Sequence, residues 1–144
     1  MRQTIADAKQ WSRSAERGAA VVRWTSAIVF LAFGAGKFVN HASELASFRR
    51  YALPAPGVFV YLIGVLEISG GLLLASGRLV RLAALALAGD MVGAIVVSGI
   101  ARGEDISLTL APLLLVAMIF LVSVGPTRRA MDRDVRRTSR ASRR

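Results

Sequence analysis

Residues 57–76 read GVFVYLIGVLEISGGLLLAS, and the reading of this stretch decides the fold. Its 20 residues are almost all apolar, which is the length one helix needs to cross the hydrocarbon of a bilayer. Glu67 stands eleventh, close to the middle. A charge there costs roughly 2.5–3.5 kcal/mol on insertion scales, while each Val, Leu, Ile or Phe contributes about 0.3–0.6 kcal/mol in favour. Eleven such residues surround Glu67, so the segment inserts in spite of its acid. A carboxylate kept against that cost is expected to have a partner or a task.

Working outward, three further apolar runs occupy residues 21–39, 79–100 and 106–125. The chain of 144 residues is 54% hydrophobic with a mean hydropathy of +0.52. A soluble domain of this size needs more polar surface than that leaves. The expected fold is therefore all-α, a four-helix transmembrane bundle over residues 21–125. The absence of cysteine removes disulfides, thiolate nucleophiles and iron–sulfur ligation. One histidine and no cysteine make a metal or haem site improbable, and no phosphate loop or nucleophile–base pattern is present. No metal and no resident cofactor are expected.

Residues 1–20, MRQTIADAKQWSRSAERGAA, form a basic leader. It reads either as a short surface helix with Trp11 at head-group depth or as an unstructured positive segment. A cleaved signal peptide rivals the first span because its apolar core is short; the three later spans favour a retained helix. In the connection, residues 40–56 (NHASELASFRRYALPAP), Pro54 and Pro56 are expected to discourage a helix and turn the chain back. Residues 126–144 hold eight arginines and too few apolar groups to fold alone, so a disordered tail is expected.

The net charge of +10 lies mostly at the ends. With both termini on one face, that face holds fifteen of the nineteen basic residues; Lys37, Arg49, Arg50 and Arg102 fall on the other. The positive-inside rule then places both termini in the cytoplasm and the protein in the cell membrane. The expected partner of the basic ends is the lipid bilayer with its anionic head groups. Nucleic acid is not expected, because the tail lacks interleaved aromatics or a reading motif.

Besides Arg23 and Arg81 near the span ends on the face of the termini, three charged residues fall inside the spans: Lys37, Glu67 and Asp90. Glu67 and Asp90 lie roughly 15 Å below the outer boundary, and Lys37 only a few ångströms below it. Lys37 can snorkel outward or bend towards a carboxylate. Gly64, Glu67 and Gly71 share a helix face, as do Ala86, Asp90 and Gly93, while Gly34, Lys37 and His41 share another. Small residues mark close helix approach, so Gly34, Gly64, Gly70, Gly71, Gly89 and Gly93 are expected at packing faces. Glu67 and Asp90 then point into the bundle. Each reads either as a hydrogen-bonding group that fixes packing or as a proton-handling or ligand-contacting acid. Lys37 and Glu67 are the candidate catalytic or ligand-binding pair, and Asp90 joins them as a candidate. His41 reads as a loop or interface residue.

The segments GAGKFVN (34–40), YALPAP (51–56) and GVLEISGGLLLASGRLVRLAALAL (64–87), in this order, resemble the DoxX family of small four-helix membrane proteins. The resemblance covers residues 23–125 and carries Lys37, Glu67, Gly70, Gly71, Gly77 and Arg81. Asp90 stands where the family is usually apolar. The histidine often found near the end of the third helix is absent, with Ser98 and Gly99 in that region. The family's name comes from membrane subunits associated with thiosulfate:quinone oxidoreduction, and relatives are linked to oxidative-stress complexes. The resemblance thus implies an accessory subunit of a membrane redox system, with redox-enzyme subunits as partners and a quinone or small sulfur compound at Lys37 and Glu67. The alternatives are a non-catalytic scaffold acting through its loops and tail, and a small proton-coupled carrier built as a homo-oligomer around Glu67 and Asp90.

Overall fold

The computed structural model describes residues 2–125, with side-chain surroundings from Glu16 onward. Five α-helices follow in order: α1 (Arg2–Val39), α2 (His41–Arg50), α3 (Pro56–Ser76), α4 (Val80–Gly93) and α5 (Asp105–Val124). A π-helical segment, Ala94–Ile100, continues α4. Four stretches are long and apolar enough to cross a membrane: Glu16–Val39, Pro56–Ser76, Val80–Ile100 and Asp105–Val124. The tail expected to be disordered lies outside the described residues.

The backbone is helical from Arg2 and runs unbroken into the first span. The connection after α1 differs from expectation, because residues 41–50 form the helix α2. Pro54 constrains the chain only from Leu53 onward, and HASELASFRR contains neither Gly nor Pro. Glu44 in its first turn and Arg49 and Arg50 in its last also suit the helix dipole. Pro56 does not break a helix but opens α3, where its fixed φ and missing N–H are tolerated. At the far end of α3, Gly77 adopts φ 71°. Its N–H reaches Leu74 O at 3.1 Å and that of Arg78 reaches Leu73 O at 3.1 Å, the paired bonds of a Schellman stop.

Packing runs α1 on α3, α3 on α4, α4 on α5 and, more lightly, α5 back on α1. The bundle is solid at one end and hollow at the other. Around the α3–α4 turn, Leu74, Val80, Ala84, Leu87, Met118 and Leu121 are essentially excluded from solvent. Two arginines secure this end. Arg23 donates from Nη1 to the carbonyls of Leu74 and, at 2.9 Å, Ala75, at the negative end of the α3 dipole. Arg81 lies over Gly125 at the end of α5, where a Cβ would stand 2.7 Å from Arg81 Nε.

Glycines decide the α1–α3 crossing. A Cβ on Gly34 would lie 2.8 Å from Ile68 Cγ1 and 3.0 Å from the Gly64 carbonyl. One on Gly71 would lie 3.1 Å from the Ala27 carbonyl. Gly64 faces the Phe38 ring and Gly70 faces Leu87 at similar distances. Gly89 and Gly93 depart from the packing role expected of them. Nothing lies within 4 Å of a Cβ at either, because both line the hollow half of the bundle. A small residue leaves room for a neighbouring helix or for a void, and here the room is void.

Candidate functional site

The hollow half is a cavity of about 590 Å³ bounded by α1, α2, α3, α4, the π segment and α5. Its walls are largely apolar, with Phe30, Phe33, Phe48, Phe59, Ile63 and Leu110 among them. Its charged lining consists of Lys37, Glu44, Glu67, Asp90 and Glu104. Few convergent polar groups on an apolar wall is the usual make-up of a small-molecule site.

The three intramembrane charges come together here. The close α1–α3 crossing at Gly34 and Gly64 brings Lys37 Nζ to 2.9 Å from Glu67 Oε2. The pair is deeply sheltered, with side chains 10% and 5% exposed. Two opposite charges in so dry a place hold each other far more firmly than at a surface. Asp90 reaches the same cavity from α4 and lies within electrostatic range of both Lys37 and Glu67. Its Oδ2 is shielded from solvent and has no hydrogen-bond partner among the described residues. Lys37 is thus one cation facing two acids.

A second polar group occupies the side of the cavity nearest the connection. Tyr51, just past α2, donates its hydroxyl to Glu104, 3.0 Å from each carboxylate oxygen. Ser107 Oγ lies 2.8 Å from Glu104 Oε2 and 3.1 Å from Ser98 Oγ. Ser98 in turn donates to Ala94 O at 2.8 Å. The π segment sets this arrangement. Its wide turns carry the Ala101 N–H back to Val96 O, and Ser98, which lies on this segment, meets Ser107. π-Turns inside α-helices are rare and favour functional sites. Partial burial, and then the neighbouring Glu104, push the Tyr51 hydroxyl above the usual phenol range, so Tyr51 stays a donor at physiological pH.

Sequence reasoning placed Lys37, Glu67 and Asp90 but missed Tyr51, Glu104, Ser107 and Glu44. Glu104 alone carried a signal, as an acid in a short loop beside the start of a span. His41 follows the end of α1 and opens α2. It stacks on Tyr61 with ring centroids 4.7 Å apart, away from the cavity lining. Among the described residues no three His, Asp or Glu side chains converge as a metal-ligand set.

Four apolar spans around a polar, half-hollow interior define a small multi-pass membrane protein. The DoxX family model matches residues 18–99, and this chain belongs to the DoxX family. It is 33% identical to the uncharacterized membrane protein Rv3486 of Mycobacterium tuberculosis (strain ATCC 25618 / H37Rv), across 83% of this chain and 82% of that protein. No solved structure matches the chain significantly.

Proposed function

We propose that this chain holds a small lipid-soluble molecule in its cavity and serves as an accessory subunit of a membrane redox system. The observation that carries the ligand-binding part is the sheltered Lys37–Glu67 pair set, with Asp90, into an apolar-walled cavity of about 590 Å³. The pair anchors a polar head: Glu67 accepts a proton or hydrogen-bonds a ligand oxygen, Lys37 balances its charge, and the aromatic wall takes the body. The redox assignment, with redox-enzyme subunits as partners, follows from the DoxX resemblance, which also suggests a quinone or a small sulfur compound as the molecule held. Both termini are proposed to face the cytoplasm from the cell membrane, from the distribution of basic residues.

The test is gentle extraction of the wild-type chain and of Glu67→Gln, followed by mass spectrometry of the molecules that co-purify. A lipid-soluble compound retained by wild type and lost from correctly inserted Glu67→Gln is expected. Equal retention by both would refute the role given to the pair.

A further inference from the structure

We infer that the cavity selects an apolar molecule carrying a cationic ammonium head, and excludes one carrying an anionic head. The inference rests on the reading of the cavity as a ligand site, not on the redox assignment, and it replaces the quinone or sulfur compound that the resemblance suggests with a different ligand class. Its basis is the balance of polar groups on the wall. Four carboxylates, Glu44, Glu67, Asp90 and Glu104, line the space against one ammonium, Lys37. Lys37 is already engaged with Glu67. The two hydroxyl donors nearest Glu104, those of Tyr51 and Ser107, are already spent on it. The wall therefore offers acceptors in excess and few free donors.

Asp90 shows where the excess falls. Its Oδ2 is out of reach of solvent and unbonded among the described residues, on a stretch of α4 where Gly89 and Gly93 keep the space beside it open. A buried acceptor without a donor is costly, and a donor brought by a ligand relieves that cost. An ammonium brings three donors and a positive charge. A carboxylate or sulfonate would bring only more acceptors, against like charge.

The test compares three ligands that share one body and differ in the head: decylamine, decanol and decanoate. Each is equilibrated with the full chain in nanodiscs of zwitterionic lipid, and binding to empty nanodiscs is subtracted. The expected order is decylamine, then decanol, then decanoate, with decylamine preferred to decanoate by at least about tenfold, the gain from one charge-assisted hydrogen bond. Asp90→Asn is expected to weaken decylamine by about tenfold and leave decanol unchanged. Glu44→Gln, on a helix with no buried residues, should weaken decylamine in the same direction and serves if Asp90→Asn does not insert. Decanoate binding as well as decylamine would overturn the inference while leaving the ligand site standing. So would an equal loss of all three ligands in both variants, because a structural role alone predicts that. If none of the three binds above empty nanodiscs, the ligand-site reading fails as well.

Discussion

Replacing Glu67 by glutamine tests the buried pair most directly. The two side chains are 10% and 5% exposed, so the variant strands the Lys37 ammonium in a dry, apolar surround. Removing one member of a buried pair costs about 3–5 kcal/mol, chiefly through the charge left behind. Asp90 lies within electrostatic range of Lys37 and takes up part of the load, so the lower end, about 3 kcal/mol, is expected for Glu67→Gln. Adding Asp90→Asn removes that second acid and moves the loss towards about 5 kcal/mol. The paired change Lys37→Met with Glu67→Leu removes both charges and keeps the volume. It is expected to lie within about 1 kcal/mol of wild type, or above it. Denaturant unfolding in mixed micelles measures all of these, and adding Lys37→Met and Glu67→Leu singly closes the double-mutant cycle for the pair. The reasoning fails if Glu67→Gln lies within about 0.5 kcal/mol of wild type, the range of an ordinary surface substitution. It fails too if the paired change is as destabilising as the sum of its parts.

Three further expectations use the same molecule. Gly34→Ala places a Cβ 3.0 Å from the Gly64 backbone carbonyl and forces α1 away from α3, at about 1–3 kcal/mol; Gly89→Ala meets nothing within 4 Å and should leave unfolding unchanged. Gly77→Ala puts a side chain on φ 71° and should lose about 1 kcal/mol, read in the same unfolding assay. The Tyr51 hydroxyl titrates above its usual value of 10.0 because of burial and Glu104. Stability from the Tyr51–Glu104 bond is therefore complete below pH 10 and disappears as pH rises through the raised value. Phenolate absorbance should show a late-titrating component that Tyr51→Phe removes.

The spans were legible in the sequence because they follow from one-dimensional quantities, whereas the Lys37–Glu67 meeting was legible only as one of two options, since depth alone separates the two residues and the length of the lysine stem closes the gap. Run length identifies a crossing helix, and residue count from a boundary gives depth. The α2 helix was obscured because Pro54 and Pro56 were allowed to speak for the ten residues before them. Gly89 and Gly93 misled for a different reason: hydropathy and spacing say that a position is small, and do not say what fills the space. The Tyr51–Glu104–Ser107–Ser98 network was out of reach. Tyr51 and Glu104 are 53 positions apart, and the register that joins Ser98 to Ser107 depends on a π segment for which no sequence rule was at hand.

That π segment makes the network sensitive to chain length as well as to residue identity. A single-residue deletion between Ala94 and Ile100 would let the helix close into ordinary α turns, a gain in backbone regularity. The hydropathy of Val80–Ile100 would hardly change, and the span would still insert. With the deletion placed before Ser98, the residues of this span beyond it would turn by about 100° relative to the helix before them. Ser98 would leave Ser107, and Glu104 would leave Tyr51. Such a variant would perturb the polar rim from the far side of the bundle, while the Lys37–Glu67 pair lies on α1 and α3, before the altered segment in the chain.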